Sequence, residues 1–416
     1  MSCNEWQKVK LKELTTDGKG HYGIGASAVA YDENLLTYLR ITDITDDGRL
    51  NKEGLMSVDD DNAEKYLLKK NDIVFARTGN STGRSYFYED KHGLLVFAGF
   101  LIKFNIDENK VNPRYIKYYT LTNEYKNWVN SFATGSTRKN INANMYGDLE
   151  LSIPPRNVQD TIVDIIDSLE NKIELNNEMN KTLEEMAQSI FKRWFVDFEF
   201  PNEDGEPYKS SGGEMVDSEL GMIPKGWEVK CIYDLAEYIN GTSFKAKDYS
   251  EKGLPIIKIA ELKNGVTDGT KFFSGEKDKK FYLKNRDILF SWSGNPDTSI
   301  DTFIWDKGDA ILNQHIFKVI PKFDKGYAFT YLMLKYLKST FTHIARNKQT
   351  TGLGHVTVKD LKELKIALCF SKIKEFNEVA EPIVDLIFEN NMNIELLNKT
   401  RDSLLPKLMN GEIRVK

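Results

Sequence analysis

Cysteine is scarce in this chain. Cys3, Cys231 and Cys369 are scattered, odd in number and never in CxxC spacing. That excludes a disulfide framework and suits reduced thiols in a cytoplasm. The five histidines (His21, His92, His315, His343 and His355) are dispersed, so no zinc-binding spacing arises and no metal site is expected. No stretch approaches 18 uninterrupted apolar residues, so no transmembrane helix is expected. The opening Met1-Ser2-Cys3-Asn4-Glu5-Trp6 has no apolar core of the signal-peptide kind. A cytoplasmic location with no membrane partner follows as the expectation.

Catalytic signatures are missing as well. Gly23-Ile24-Gly25-Ala26-Ser27-Ala28 lacks the third glycine of a dinucleotide loop, and no GxxxxGK[ST] phosphate loop occurs. There is no Asn-Pro-Pro-Tyr or Asp-Pro-Pro-Tyr amino-methyltransferase motif, and no Gly-x-Ser-x-Gly elbow. Pro296-Asp297 is not followed at useful distance by Glu-x-Lys, the arrangement of one nuclease core. The sequence therefore reads as a binder, not an enzyme, with no cofactor of its own.

What the chain does contain, it contains twice. Leu68-Lys69-Lys70-Asn71-Asp72-Ile73-Val74-Phe75 with Thr78-Gly79-Asn80 returns 215 residues later as Leu283-Lys284-Asn285-Arg286-Asp287-Ile288-Leu289-Phe290 with Ser293-Gly294-Asn295. Leu39 to Ile44 pairs with Ile257 to Leu262, and Trp6 with Trp227. Asn140-Ile141-Asn142 and Leu149-Glu150-Leu151 pair with His355-Val356-Thr357 and Leu364-Lys365-Ile366. So long a period means two copies of a whole domain, not a solenoid of 20–50-residue repeats.

Each copy mixes short strands with Gly/Asn/Asp turns. Tyr38–Ile41, Asp72–Phe75 and Leu101–Phe104 read as strands, and Pro113 opens a helix. Between and after the copies lie helical patterns. Ile162, Ile166, Leu169, Ile173, Asn176, Asn180, Leu183, Ala187, Ile190 and Trp194 step by four and three, which is a heptad seam. Such a helix needs a mate along its length. Ile383, Ile387, Asn391, Ile394, Asn398, Leu405 and Leu408 supply a similar seam, with Pro382 and Pro406 expected to interrupt or bend it. The expected fold is α+β: two tandem recognition domains joined by two long helices in an intramolecular coiled coil, antiparallel, with a pseudo-two-fold internal repeat; a coiled coil with another chain is the competing reading. The boundaries are domain one at 1–155, a central helical spacer at 156–199, a flexible linker at 200–223, domain two at 224–371 and a C-terminal helical spacer at 372–416. Phe191, Trp194 and Phe195 are expected to be exposed at a helix end, where they would favour a partner protein.

The net charge of −5 is unevenly spread. Residues 1–157 are neutral, residues 158–199 carry −6, residues 200–223 carry −5, and residues 224–372 carry +8. Acid gathers in the helices and the linker, which leaves the second domain basic enough to meet phosphate.

The loop after the duplicated strand, Ala76 to Tyr86, contains Arg77, Thr78, Asn80, Ser81, Thr82 and Arg84. Arginine addresses guanine bidentately, asparagine addresses adenine, and Ser/Thr reach base or phosphate. The equivalent loop, with Trp292, Ser293 and Asn295, differs in nearly every side chain, as two half-site specificities would require. Ordinary turns are the competing reading. A second loop in each copy is basic and Gly/Thr-rich: Arg138, Lys139 and Asn140 in the first, and Arg346, Lys348, Gln349 and His355 in the second. Its cations suit phosphate positioning. The run Lys271-Phe272-Phe273 to Lys284 is either a backbone-binding edge or a solvated hairpin.

These features resemble the specificity subunit of type I restriction–modification systems, and the resemblance covers the whole chain. It rests on Tyr38-Leu39-Arg40-Ile41-Thr42-Asp43-Ile44, and on Thr134-Gly135-Ser136-Thr137 followed by Ile141, Leu149, Leu151, Ile153-Pro154-Pro155, Gln159, Ile162 and Leu169. The ending Leu404-Leu405-Pro406-Lys407-Leu408-Met409-Asn410-Gly411-Glu412-Ile413-Arg414-Val415 carries it further. The second copy departs from the pattern, with Ala367-Leu368-Cys369 where the first has Ser152-Ile153-Pro154, and Met1 leaves no room for an extra N-terminal helix. The resemblance implies a non-catalytic reader of double-stranded DNA with a bipartite site. It implies two methyltransferase subunits docked along the helices (at Ile162, Ile166, Leu169, Ile173, Leu183, Ile190, Trp194, Ile387, Ile394, Leu405 and Leu408, where these do not fill the seam). It also implies two motor-nuclease subunits, with S-adenosylmethionine, ATP and Mg belonging to those partners. The rival readings are a stand-alone bipartite DNA-binding regulator or antirestriction decoy, and a scaffold for protein or glycan.

Overall fold

The computed structural model describes residues 6–132, 140–349 and 353–415. The chain divides into two compact units, Met1–Asn171 with Leu397–Lys416, and Lys172–Leu396.

Unit one contains strands β1 (Gln7–Lys10), β2 (His21–Tyr22), β3 (Ala28–Val29), β4 (Leu36–Leu39), β5 (Met56–Val58), β6 (Asp72–Ala76), β7 (Ser85–Phe87), β8 (Leu95–Phe97), β9 (Leu101–Asn105) and β10 (Glu150–Ile153). Helices α1 (Pro113–Tyr119), α2 (Asn123–Ser131) and α3 (Ala143–Gly147) follow β9. Helix α4 (Arg156–Phe195) starts in this unit. One sheet has the order β2-β9-β6-β7, a second β3-β5-β4-β8, and β1 pairs antiparallel with β10. Strand β6, Asp-Ile-Val-Phe-Ala, lies between β9 and β7 and is buried at every position. That suits an apolar run covered on both faces.

Unit two contains β11 (Met215–Ser218), β12 (Gly221–Pro224), β13 (Glu228–Cys231), α5 (Ile232–Leu235), β14 (Ala236–Asn240), β15 (Leu254–Ile257), α6 (Ile259–Asn264), β16 (Phe272–Phe273), β17 (Tyr282–Leu283), β18 (Ile288–Ser291) and β19 (Ser293–Gly294). It continues with α7 (Pro296–Ser299), β20 (Asp301–Ile304), β21 (Ala310–Leu312), β22 (Ile316–Pro321), α8 (Tyr327–Tyr336), α9 (Lys338–Asn347), β23 (Gly354–His355), α10 (Val358–Glu363) and β24 (Lys365–Leu368). Helix α11 (Phe370–Met409) closes the series. The sheets, β14-β22-β18-β20 and β16-β15-β21-β17, repeat the plan of unit one, including a parallel pair (β4 with β8, β15 with β21).

The repeat reaches individual hydrogen bonds. Asp72 Oδ2 accepts from the Lys69 backbone N–H at 2.8 Å and lies 3.3 Å from Lys103 Nζ. Asp287 Oδ2 accepts from the Lys284 N–H at 2.8 Å and lies 2.8 Å from Lys318 Nζ. The preceding Asn71 and Arg286 both sit in the left-handed region, at φ 68° and 75°. The duplicated Asp-Ile thus encodes a carboxylate-closed turn into the central strand. Gly23 and Gly241 are a second equivalent pair. A Cβ there would stand 2.2 Å from the Phe97 carbonyl oxygen and 2.0 Å from that of Asn313, so only glycine fits. Gly23 serves strand packing, not phosphate.

In unit one α4 and α11 run antiparallel. Ile162, Val163 and Ile166 share a core with Leu405, Leu408 and Met409, and Glu170 joins Arg401 at 2.7 Å. Glu170 also meets Arg49 at 2.7 Å. Burial pushes the Glu170 carboxyl up, but the two guanidiniums outweigh it and hold the group below the usual range. In unit two the helices are again antiparallel. The Asn180 amide donates to Asn391 at 2.7 Å and accepts from Asn390 at 2.9 Å, and Phe191, Trp194 and Phe195 pack on Phe376. Ile173 and Ile387 are buried, while Leu169, Leu183, Ile190 and Ile394 are only partly covered.

Four expectations are corrected here. The helices run Arg156–Phe195 and Phe370–Met409, so the spacers are shorter at 195 and start earlier at 370 than 156–199 and 372–416. Neither Pro382 nor Pro406 interrupts α11, which runs unbroken through both. Residues 200–223 are not a flexible linker. They form the β11–β12 hairpin and a Pro201–Pro207 bridge, with Phe200 stacked between Tyr208 and Trp227 at 4.6 and 5.0 Å. Phe191, Trp194 and Phe195 are buried in the core of unit two. The junction departure is visible: Pro154-Pro155 separates β10 from α4, while Cys369 alone separates β24 from α11.

Glu89 gives a pH-dependent test of unit one. It meets Lys117 at 2.7 Å and Lys91 at 2.9 Å. Burial pushes its carboxyl up, but the ammonium groups more than offset this and hold it at about 2. A depressed folded pKa stabilises above the unfolded value of about 4.5, and the gain is lost as pH falls toward 2. Glu89→Gln is expected to cost on the order of 1–3 kcal/mol at pH 7. Urea unfolding at pH 7, 5 and 3 should show the difference shrinking at the lowest pH. A constant difference would assign the effect to packing.

Candidate nucleic-acid interface

In each unit the central strand delivers one residue and then a loop. Beyond β6, Arg77 donates its N–H to the Phe100 carbonyl at 3.0 Å, and its carbonyl accepts from Ile141 at 2.9 Å. Beyond β18, Trp292 donates to the His315 carbonyl at 3.2 Å and accepts from Val356 at 2.8 Å. Thr78 bridges Asn140, and Ser293 pairs with His355. The two loops read separately in the sequence are thus stitched together in both units. Arg138 and Lys139 lie outside the described residues.

The first loop turns tightly. Gly79–Ser81 forms one 3₁₀ turn, and Thr82 Oγ1 donates to the Gly79 carbonyl at 2.7 Å. Ser81 is buried, while Asn80 is exposed and its side chain makes no hydrogen bond among the described residues. Arg84 is held from behind: Nε reaches Asp46 at 2.7 Å and a terminal nitrogen reaches the Ile44 carbonyl at 3.0 Å. It braces the loop. Arg77 differs, with its guanidinium carbon 5.1 Å from the Tyr22 ring centroid.

The second loop spends its polar groups locally. The Asn295 side chain caps α7, accepting from the N–H groups of Asp297 at 3.0 Å and Thr298 at 3.3 Å. Arg346 pairs with Asp297 at the surface, and Lys348 pairs with Asp360. Burial raises the Asp360 carboxyl, but Lys348 and Thr357 outweigh it and hold it low. Gln349 is exposed. In the Lys271–Lys284 run, Phe273 is buried with Ile256 and Ile311, and Lys277 lies over Phe244 and Phe273 at 5.3 and 5.9 Å.

Sequence reasoning missed Tyr22 and Asn240, the neighbours of Arg77 and Trp292. Both directly precede the structurally equivalent glycines Gly23 and Gly241, in a stretch that the paired sequence segments, which resume at Leu39 and Ile257, do not include. A cleft of about 630 Å³ in unit one is lined by Tyr22, Lys12, Lys19, Asn142, Asn144 and Asp148, among others. Among the described residues no helix is long and apolar enough to cross a membrane.

The type I restriction modification DNA specificity domain matches residues 4–185 and again 224–374. The chain therefore belongs to the type I restriction–modification family, as a specificity subunit with two copies of that domain. It is 26% identical to the Haemophilus influenzae type I restriction enzyme HindI specificity subunit, over 84% of this chain and 88% of the relative. It is 24% identical to the MjaVIII specificity subunit of Methanocaldococcus jannaschii, over 99% and 94%. The crystal structure of the type I system S subunit from M. genitalium shares the fold at a TM-score of 0.56 and 14% identity, over 97% of this chain and 96% of that one. The chain is a reading subunit with no catalysis of its own.

Proposed function

We propose that each globular domain reads one half of a split double-stranded DNA sequence, and that α4 and α11 set the unread gap between the halves. One observation carries this: the same hydrogen-bonded scaffold is built twice, with different side chains at its reading positions. Shared scaffold with divergent loops is what two different half-sites require. Two methyltransferase subunits dock along the helices, and two motor-nuclease subunits join them. S-adenosylmethionine, ATP and Mg act in those partners. Docking is supported by exposed apolar side chains on the two helices: Leu175, Met186 and Met392 are 48, 50 and 38% exposed.

The test is modified-base sequencing of host DNA with and without this chain, its methyltransferase partner being active in both. Adenine methylation in a split motif, dependent on this chain, is the expected result. No such methylation, with an active partner, would turn the reading toward a stand-alone DNA binder.

A further inference from the structure

We infer that Arg77 and Trp292 occupy one equivalent reading position in the two copies, and that Tyr22 and Asn240 decide what each can read. The inference rests on the two-reader function proposed above.

The equivalence is one of backbone. Both residues lie one step beyond the central strand, with the N–H and the carbonyl each bonded to the same structural partners. Their side chains therefore leave a common point in a common direction.

The chemistry at that point differs. Arg40, Arg49, Arg84, Arg114, Arg156 and Arg401 of unit one are all paired with carboxylates. Arg77 has no such partner among the described residues, and its Nε is buried without a hydrogen bond. What holds it is the Tyr22 ring. Tyr22 is fixed in turn by the pairing of β2 with β9, and its hydroxyl accepts the Ala143 N–H at 3.2 Å. A guanidinium laid on an aromatic face is steered without being neutralised, and its remaining N–H groups stay free to form a planar fork. The base such a fork takes is guanine, through O6 and N7.

In the second copy the same point carries an indole. Trp292 Nε1 donates to Asn240 Oδ1 at 3.1 Å, which uses its one donor. Its ring stands 5.2 Å from His315 and 5.7 Å from Phe317. No cation is offered, and the position suits an apolar contact such as a thymine methyl. Tyr22 and Asn240 are positioning residues, and Arg77 and Trp292 the reading residues.

The test uses the full subunit with its methyltransferase partner and modified-base sequencing. Arg77→Lys keeps the charge and loses the fork. It is expected to lower discrimination at a single G·C position roughly 10- to 100-fold, with the other half-site unchanged. Tyr22→Leu should relax that same position, while Tyr22→Phe, which keeps the ring, should retain it. The intact second half-site reports that each variant is folded. Where methylation is abolished, competition with duplexes substituted one base pair at a time reads the same discrimination as binding. A uniform loss over all positions, or relaxation in the other half-site, would overturn the assignment. A wild-type motif that is not split would overturn the two-reader function itself, and this assignment with it.

Discussion

Phe191→Ala is expected to destabilise unit two by about 3–5 kcal/mol, the range for deleting a buried aromatic ring. Phe191 is fully buried, and its ring lies 5.3 Å from Phe195, 5.7 Å from Phe329, 5.5 Å from Tyr336 and 6.0 Å from Phe376. These neighbours come from both long helices and from α8. Phe195, Phe329 and Phe376 also pack on one another, so the site cannot collapse fully into the vacated space. The cost is therefore the lost transfer energy plus that of a cavity. Urea unfolding followed by tryptophan fluorescence would measure it, since Trp194 and Trp227 lie in the same core. A loss below about 1 kcal/mol would mean that this aromatic cluster repacks and does not hold the helix pair.

The second large effect concerns spacing. Removing residues 177–183 from α4 together with 387–393 from α11 deletes one heptad from each helix. In the antiparallel pairing Asn180 lies opposite Asn390 and Asn391, so the two deletions remove facing stretches and leave the flanking seam in register. Seven residues correspond to about 10 Å of helix, or no more than about three base pairs at 3.4 Å each. The methylated motif should keep both half-sites and lose up to that much of its gap. Deletion from α4 alone leaves Asn390 and Asn391 without their partner and should abolish methylation. An unchanged gap in the double deletion would sink the role of the helices as a ruler.

Much of the fold was legible in the sequence because its strongest signals are periodic. The 215-residue duplication announced two domains, and the structure repeats even the Asp72 and Asp287 turns. Alternating steps of four and three announced the helix pair, which Ile162 with Leu405 and Asn180 with Asn391 complete. Strands such as Asp72–Ala76 and the helix at Pro113 fell where side-chain type and proline put them. The misreadings share a cause: composition was taken for conformation. Residues 200–223 are polar and glycine-rich, yet Phe200, Tyr208 and Trp227 stack and order them. Phe191, Trp194 and Phe195 looked like an exposed helix end, because the chain returning to cover them comes from residues 329 and 376, far away in sequence.

The sequence by itself determined the duplication, the α+β character, the helix seam and the family. Each is written in local spacing or in a repeated motif. Only the tertiary structure decided which polar side chains are engaged inside the fold. Arg84, Asn295, Arg346 and Lys348 looked as available as Arg77, but Asp46, a helix N-terminus, Asp297 and Asp360 engage them. Arg77 alone of these five meets a ring in place of a carboxylate or a backbone N–H. Whether a charged group is spent inside the fold depends on what the chain brings beside it, and linear spacing does not carry that.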